Sequence, residues 1–463
     1  MHNPTDKEVS IVYDQLEGFA IDMIDVLEVL DMMNLFFICI DGMGDRPIVE
    51  LGGRTPLEAA STPNLDKLAN NGRMGLMYTV KKGVAPESDV AVISILGYDP
   101  FKYHTARGPI ESFGSGLKVN DGDLALRCNF ATLGENNAIM DRRAGRNLSN
   151  EEATELGKSI NGSVKLETHP ATFEFKNTVG HRCVLVIRSK EGSLSGNISN
   201  TDSAYTRVSG LGVAKAGTEN KLMTCEPVDR KKSSKIAADL VNEFVEKSIS
   251  VLRGHPVNQE RIKNGKKPAN VILTRDAGDH VPQLFSLDER YNVRFACLAD
   301  MPVEIGIGRL AGMDVYELPP PSKDIQADME FRLSRLKEAM RAHNSFYIHI
   351  KGPDEPGHDG DFNLKKEIIE KIDAFFFNKL IKIIDIPNSL ICVTADHSTP
   401  CELKGHSDDP VPVLVSGNKI RGDGLKKLGE RECAKGSLGT LSKGTELMPM
   451  LMKLIGQEKD TRD

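Results

Sequence analysis

Three apolar stretches of the sequence each end on a carboxylate, and two of them add a histidine. The side chains in question are Asp41 after residues 34–40, Asp354 and His358 after residues 344–350, and Asp396 and His397 after residues 389–394. Continuous apolar runs of this length are typical of parallel strands buried on both faces. Ligand sites in open α/β sheets lie beyond the carboxyl ends of such strands. The sequence therefore predicts that these side chains meet at one edge of a sheet.

Aspartate and histidine in this grouping are typical metal ligands. Oxygen and imidazole donors fit Mn²⁺, Zn²⁺, Co²⁺ or Mg²⁺ rather than a soft metal that requires thiolates. Asp354 and His358 are four residues apart, so one helical turn or a tight loop can direct both to one ion. A single buried aspartate or histidine is more often a hydrogen-bonded core residue. The repetition at three strand ends is what favours a metal site.

Ser88 and His406 complete the candidate set. The apolar run 90–96 predicts a helix with Ser88 at its N-terminus, where free N–H groups favour an anion. A lone serine at this position is usually an ordinary cap. Three aspartates and a serine alkoxide carry four negative charges, which two divalent ions would balance. Two metals about 3.5–4 Å apart are the usual clamp for phosphoryl displacement, and they would activate a serine as nucleophile.

Composition limits the class of protein. A chain of 463 residues is too long for one ordinary core, and its net charge of −7 argues against a general nucleic-acid binder. An anionic substrate must then be held by clustered arginines. The eight cysteines include no CxxC pair, which indicates a reducing compartment without disulfides. Without a signal-peptide pattern or an uninterrupted apolar span, we expect a cytoplasmic protein with no membrane partner.

The sequence changes texture twice along the chain. Residues 1–34 predict an extension with one amphipathic helix. Residues 35–116 and 286–463 alternate apolar strands with helices, which predicts an α/β domain built on a mostly parallel sheet. Between them, residues 117–285 contain glycine turns, short β-like runs and arginine clusters. This segment is predicted to be an inserted, smaller domain of the α/β or α+β kind.

Several segments together resemble one known family, the archaeal-type cofactor-independent phosphoglycerate mutases of the alkaline phosphatase superfamily. They include IDGMGDRP, SDVAVISILGYDP, HPVNQERIKNGKKPAN, IKGPDEPGHDGDF and TADHSTPCELKGHSDDPVPVL, and the resemblance covers roughly residues 35–455. It implies an alkaline-phosphatase-like sandwich of helices around the sheet. It also implies interconversion of 3-phosphoglycerate and 2-phosphoglycerate without 2,3-bisphosphoglycerate as cofactor.

The resemblance also implies roles for individual residues. Ser88 would be the phosphorylated nucleophile. One metal would be held by Asp41, Ser88, Asp396 and His397, and the other by Asp354, His358 and His406, with Mn²⁺ favoured over Mg²⁺, Co²⁺ and Zn²⁺. The inserted domain would bind the glycerate moiety, and bidentate arginine suits both a carboxylate and a phosphate. The substrate-binding candidates are Arg127, Asp141, Arg142, Arg143, Arg146 and Arg275.

Three positions depart from the family pattern. Glu87 stands where the family usually has glycine, Ala204 where many relatives have histidine, and Ile305 where many have lysine. A missing lysine would weaken charge stabilisation in the transition state, and Arg309 or Lys351 could compensate. The alternative function is therefore a metal-dependent phosphatase or phosphotransferase of the same superfamily, acting on another small phosphorylated acid. An inactive, ligand-binding relative is a third reading, which the complete set of ligands and nucleophile disfavours. The oligomeric state stays open.

Overall fold

The computed structural model describes residues 33–208, 211–214, 220–417 and 420–457. The predicted extension 1–34 lies almost wholly outside the described residues. In chain order the strands are β1 (Asn34–Ile40), β2 (Gly72–Met77), β3 (Leu124–Leu133), β4 (Ile139–Asp141), β5 (Ala171–Asn177), β6 (Arg182–Ser189), β7 (Tyr205–Val208), β8 (Leu211–Ala214), β9 (Val271–Gly278), β10 (Phe295–Ala299), β11 (Asp314–Glu317), β12 (Ser345–Ile350), β13 (Ser389–Thr394), β14 (Val411–Gly417) and β15 (Gly439–Leu441).

The α-helices alternate with these strands over most of the chain. They are α1 (Pro56–Ala59), α2 (Pro63–Asn70), α3 (Ser88–Ile95), α4 (Pro100–Tyr103), α5 (Arg107–Gly114), α6 (Asn150–Ser163), α7 (Lys232–Arg253), α8 (Pro256–Lys263), α9 (Leu287–Tyr291), α10 (Pro302–Leu310), α11 (Ile325–Ala339), α12 (Asp354–Asp359), α13 (Phe362–Ile372), α14 (Asn378–Ile383), α15 (Glu430–Cys433) and α16 (Leu447–Leu454). In the described part of the chain, no helix is both long and apolar enough to cross a membrane.

The larger sheet has eight strands in the order β11-β10-β12-β1-β13-β14-β2-β15. Only β14 runs against the others, because it pairs antiparallel with both β13 and β2. β12 and β13 flank β1 and run parallel to it, so the carboxyl ends of all three strands lie at one edge. Their side chains are almost entirely buried in one hydrophobic core. The predicted α/β architecture with a mostly parallel sheet is confirmed.

The middle of the chain forms a second, antiparallel sheet. Strands β4, β3, β6 and β5 are neighbours in that order, and β9 also pairs with β3. Residues from this sheet and from α6 and α7 form a hydrophobic core of their own. The arrangement agrees with a separate unit inserted into the larger one, while its limits at 117 and 285 stay a prediction.

Helix α5 joins the two units, since it packs against α10 on one side and against β3 and β9 on the other. Two glycines allow α5 and α10 to approach closely. A Cβ added at Gly114 would lie 1.8 Å from the carbonyl oxygen of Pro302, and one at Gly306 would lie 2.4 Å from that of Ile110. Because these neighbours are backbone atoms, they cannot move aside cheaply.

The segment 55–72 forms two helices, α1 and α2. The second begins at Pro63 after Thr62, whose backbone (φ −126°, ψ 60°) lies outside the helical region, in keeping with the steric restriction that Pro63 places on the residue before it. The start of α2 is held from elsewhere: the Asp373 carboxylate accepts hydrogen bonds from the backbone N–H groups of Leu65 (2.8 Å) and Asn64 (3.2 Å). Asp373 begins the π-helical turn between α13 and α14.

Candidate metal centre and arginine-lined site

The predicted ligands lie where the strands of the larger sheet end. Asp41 follows β1 directly, Asp354 opens α12 shortly after β12, and Asp396 follows β13. Gly42 makes their approach possible, because its backbone is left-handed (φ +61°) and a Cβ there would lie 2.7 Å from Asp354. The N–H of Gly42 also donates to Asp396 Oδ1 at 3.1 Å. The loop after β1 is therefore fixed against the loop after β13.

The first ligand group centres on His397. Its Nε2 lies 3.3 Å from Asp41 Oδ1, 3.4 Å from Asp396 Oδ2 and 3.3 Å from Ser88 Oγ. All four residues are buried. Asp41 Oδ1 and Asp396 Oδ2 have no hydrogen-bond donor, and leaving buried carboxylate oxygens unpaired is costly. A cation fits this convergence of donors.

Thr399 fixes which nitrogen of His397 carries the proton. The Thr399 hydroxyl donates to Asp354 Oδ1 at 2.7 Å, so it accepts from Nδ1–H of His397, 3.0 Å away. The unprotonated Nε2 is then directed at the two carboxylates and at Ser88, which is the tautomer that a metal ligand needs. Sequence reasoning missed Thr399. Its only signal was a hydroxyl side chain two residues after a predicted ligand.

The second ligand group consists of Asp354, His358 and His406. The two histidine Nε2 atoms are 3.2 Å apart and lie 3.5 Å and 3.4 Å from Asp354 Oδ1. Each Nδ1 faces a backbone carbonyl, that of Lys404 at 3.2 Å and that of Pro86 at 2.8 Å. Since carbonyls only accept, both Nδ1 atoms must carry protons. In the neutral rings, three acceptors then point at one another, and a cation resolves this conflict.

Electrostatics favour positive charge at this position. Burial by itself lowers the pKa of His406, but the hydrogen bond to Asp354 and the nearby Glu87 carboxylate raise it to about 10. The rings of His397 and His406 stack with centroids 3.7 Å apart. The two ligand groups are therefore adjacent, and the structure brings all seven predicted ligands into one cluster.

Ser88 is the first residue of α3, as the sequence predicted, and Glu87 precedes it as N-cap. Every side chain of α3 is buried, so the helix holds Ser88 in place beside His397. The next residue, Asp89, pairs with His104 Nε2 at 2.6 Å inside the protein. The arrangement directs a hydroxyl and the free N–H groups of a helix N-terminus at one place, which suits a phosphoryl group.

A cluster of arginines lies beside Ser88, on the face where the second unit meets the first. Arg127 on β3 and Arg275 on β9 are partners across the antiparallel pair, and both are buried. Arg107 on α5 joins them, since Arg107 Nε and Arg127 Nε lie 2.6 Å and 3.3 Å from the same oxygen of Glu111. Arg127 Nε lacks a geometrically sound hydrogen bond. A buried guanidinium without enough acceptors fits an anionic ligand.

His181 reports the positive field of this cluster. Burial and the nearby Arg182 and Arg127 lower the pKa of His181 to about 3, with Arg275 and Arg146 adding to the effect. The imidazole is therefore neutral among guanidinium groups. Sequence reasoning predicted Arg127 and Arg275 but missed Arg107, His181 and Arg182, whose convergence depends on elements far apart in the chain.

The other substrate-binding candidates lie on the loop 141–146, outside the buried cluster. Asp141 pairs with Lys267 at 2.8 Å and accepts from the N–H of Arg143. Arg142 pairs with Asp202 at 2.8 Å. Arg146 is exposed and faces two acidic side chains of α12 across the boundary between the units. These contacts give the loop structural partners, so a substrate role for it stays a prediction.

Arg261 holds this loop in a strained conformation. Ala144 and Arg146 have left-handed backbones (φ 46° and 52°), which are costly for residues with a Cβ. The buried guanidinium of Arg261 donates to the carbonyl of Ala144 at 3.0 Å and to Asn147 Oδ1 at 2.7 Å, and pairs with Glu152 at 2.6 Å. The segment HPVNQER therefore supports the loop structurally.

The departures from the family pattern have identifiable surroundings. The Glu87 carboxylate is 3.3 Å from Arg107, so its charge is paired. Ile305 is buried in the core of the larger unit. Lys351 places its ammonium 3.1 Å from Asp41 Oδ2. Arg309 instead pairs with Glu317 and donates to the carbonyl of Gly114. Lys351, not Arg309, is therefore positioned to supply the charge that Ile305 lacks.

Ala204 lies close to the arginine cluster. Its N–H donates to Asp202 Oδ1 at 3.1 Å, and Asp202 Oδ2 lies 3.9 Å from Arg275. The ring of the next residue, Tyr205, stacks on the Arg275 guanidinium at 3.8 Å. The segment therefore fixes Arg275 through a carboxylate and an aromatic face, while position 204 itself contributes only a methyl group.

Comparisons with known proteins agree with these observations. A family profile described as 2,3-bisphosphoglycerate-independent phosphoglycerate mutase matches residues 69–258. Curated proteins of that name from Aeropyrum pernix and Thermococcus kodakarensis are each 40% identical to this chain, covering 91% of it and 100% and 97% of their own lengths. A solved structure from Pyrococcus horikoshii aligns with a TM-score of 0.74 at 32% identity, over 93% of this chain and 100% of its own. The cofactor-independent phosphoglycerate mutase of Thermoplasma acidophilum, also 32% identical, gives 0.56 over 91% and 100%.

Proposed function

We propose that this chain, which belongs to the family of 2,3-bisphosphoglycerate-independent phosphoglycerate mutases, interconverts 3-phosphoglycerate and 2-phosphoglycerate through a phosphoserine at Ser88. The observation that carries the mechanism is the placement of Ser88 Oγ, which lies 3.3 Å from His397 Nε2 at a helix N-terminus. A nucleophile, metal-type donors and an anion-binding helix end then share one position. The arginine cluster beside them suits the carboxylate of the substrate.

Two divalent ions would be held by the predicted ligands. Asp41, Ser88, Asp396 and His397 form one donor set and Asp354, His358 and His406 the other, with Mn²⁺ favoured and Mg²⁺, Co²⁺ or Zn²⁺ as alternatives. When bound, such ions lower the pKa of a coordinated hydroxyl and neutralise charge on the phosphoryl oxygens. The unpaired carboxylate oxygens and the facing imidazole nitrogens support this assignment.

The chain's own residues would then carry the transfer in two halves. Ser88 Oγ bonds to phosphorus as the bond from phosphorus to the C3 oxygen breaks, and the serine proton passes to that oxygen. The glycerate turns within the site, and its C2 oxygen takes the phosphoryl group as the bond to Ser88 breaks. The proton of the C2 hydroxyl restores the serine. The arginine cluster, with Arg127 and Arg275 at its centre, would retain glycerate while it turns.

Product analysis tests this function. Purified protein with Mn²⁺ and 3-phosphoglycerate, but without 2,3-bisphosphoglycerate, is expected to form 2-phosphoglycerate faster than free phosphate, as followed by phosphorus NMR. The variant Ser88→Ala is expected to lose turnover while it still binds metal. Faster release of free phosphate would favour the phosphatase alternative, and turnover at the wild-type rate in Ser88→Ala would exclude the phosphoserine. The cytoplasmic location stays a prediction from the sequence.

A further inference from the structure

A fully buried histidine that the reaction does not use lies behind the first ligand group. His349 is on β12, opposite Cys39 of β1 in the register of the two strands, and it is 0% exposed. Its Nε2 is 3.7 Å from Asp396 Oδ2 and its Nδ1 is 3.9 Å from Glu304 Oε1. Neither nitrogen has a hydrogen-bond partner. An unpaired buried polar group costs about 1–3 kcal/mol, so this placement calls for a reason.

Glu304 continues the contact towards the other carboxylate ligand. It lies on α10, with a side chain that is 1% exposed, and its Oε1 is 2.8 Å from the ammonium of Lys351. The same ammonium is 3.1 Å from Asp41 Oδ2. His349, Glu304 and the half-buried Lys351 therefore form a chain of contacts of 2.8–3.9 Å from Asp396 to Asp41, which we name the inner relay.

The inner relay acts on the carboxylate oxygens that a metal ion would share. Asp396 Oδ1 is already fixed by the N–H groups of Gly42 and His397, each at 3.1 Å. Oδ2 is left between His397 and His349. The Lys351 ammonium pairs with Asp41 Oδ2, and the other oxygen of this carboxylate, Oδ1, then faces His397. The rotation of Asp41 is thus set by Lys351, and that of Asp396 by the two N–H groups, with the His349 ring packed behind its Oδ2.

The negative charges of the buried carboxylates also call for a nearby cation. Asp41, Asp396 and Glu304 are three carboxylates buried within a short distance of one another. Lys351 is the one lysine whose ammonium lies within ion-pair distance of a predicted ligand, among the residues that the structure describes. Without the Lys351 ammonium, the carboxylates of Asp41 and Glu304 would repel each other in a medium of low dielectric constant.

We propose that His349, Glu304 and Lys351 position Asp41 and Asp396 for metal binding and thereby set the affinity of the metal site next to Ser88. The inference rests on the proposed metal centre. These side chains touch neither substrate nor reacting atoms, so they are positioning residues. Groups that orient metal ligands typically change metal affinity by about 10–100-fold when they are removed.

The same neighbourhood offers one rival reading, a third ion held by Cys39, His349 and Asp396, whose donor atoms lie within 4.8 Å of one another. Two observations count against it. Asp396 already belongs to the group of Asp41, Asp396 and His397, so a third ion would have to share that carboxylate. The Lys351 ammonium already supplies a positive charge there.

Titration calorimetry with Mn²⁺ on the substrate-free protein tests the inner relay. In His349→Ala and in Glu304→Gln, we expect the dissociation constant of one of two ions to rise by about 10–100-fold and the other to change little. Glu304→Gln is isosteric and tests the relay even where His349→Ala does not fold, as judged from circular dichroism in EDTA. Lys351→Arg, which keeps the charge, is expected to bind more tightly than Lys351→Met.

Cys39→Ala is the matched control, since it changes the same depth of the neighbouring strand and leaves the relay in place. It is expected to bind two ions with wild-type affinity, whereas the loss of a third ion in this variant would favour the rival reading. Wild-type affinities in folded His349→Ala and Glu304→Gln would overturn the inner relay. Failure of the mutase assay in the wild-type protein would contradict the proposed function instead, because calorimetry needs no substrate.

Discussion

At the scale of single residues, Thr399 links the two ligand groups. One hydroxyl donates to Asp354 and accepts from His397, so it orients a ligand on each side. A single threonine is enough for this contact, and residue type alone does not distinguish Thr399 from an ordinary threonine in a turn. Its importance comes from the direction of two hydrogen bonds.

Thr399→Val removes the hydroxyl at nearly constant volume. His397 Nδ1–H then loses its acceptor and Asp354 loses a donor, so we expect affinity for both ions to fall by about 10–100-fold. Thr399→Ser keeps the hydroxyl and serves as control. Calorimetry with Mn²⁺ measures the effect, and equal affinities in the two variants would show that Thr399 has no orienting role.

At the scale of elements, the contact of α5 with α10 connects the second unit to the metal-binding unit. α5 carries Glu111, whose carboxylate pairs with Arg107 of the same helix and with Arg127 of the second sheet. α10 carries Glu304 of the inner relay. The spacing of these helices therefore affects the arginine cluster and the proposed metal centre together, and two glycines set that spacing.

Gly114→Ala is expected to destabilise the protein by about 1–3 kcal/mol, because the new methyl group meets backbone and forces the helices apart. Gly162→Ala is the matched control, since a Cβ there meets nothing within 4 Å and alanine stabilises a helix relative to glycine. Urea denaturation of both variants measures the difference. Equal stability would contradict the close packing of α5 on α10.

At the scale of the whole molecule, two hydrophobic cores support different parts of the proposed site. The larger unit supplies the proposed nucleophile and metal ligands, while most of the arginine cluster comes from the antiparallel sheet. Arg146 of the second unit faces Glu355 at 3.4 Å and Asp359 at 3.6 Å, both on the helix that also bears Asp354 and His358. A mutase needs both units, because free glycerate must be held, and water excluded, while the phosphoserine exists.

Arg275→Met tests this division. We expect the KM for 3-phosphoglycerate to rise by about tenfold or more, since the proposed charged contact with the substrate carboxylate would be lost. We also expect the ratio of free phosphate to 2-phosphoglycerate to rise, because glycerate escapes before it is rephosphorylated. Arg188→Met, on the same sheet but paired with Asp123 away from the cluster, is the control. An unchanged product ratio in Arg275→Met would exclude a role in retaining glycerate.

The sequence by itself determined where Asp41, Asp354, Asp396 and their histidines would lie. Each follows a continuously apolar strand, and such strands are typical of a parallel sheet, in which carboxyl ends lie at one edge. It also placed Ser88 at the start of a helix, because the apolar run 90–96 after it predicts a buried helix. These are local patterns, and the fold preserves them.

Only the tertiary structure decided what surrounds those residues. Glu304 and His349 look like ordinary helix and strand residues until packing brings them near Lys351, which the sequence had already offered in place of the missing lysine. Arg107 and Arg182 join Arg127 only because α5 and β6 both lie against β3, whereas Asp141 and Arg142, which the sequence favoured, are occupied by other partners. The physical reason is that the pattern of a strand depends on neighbouring residues in the sequence. The partner of a buried charge depends instead on which distant side chain the fold brings close to it.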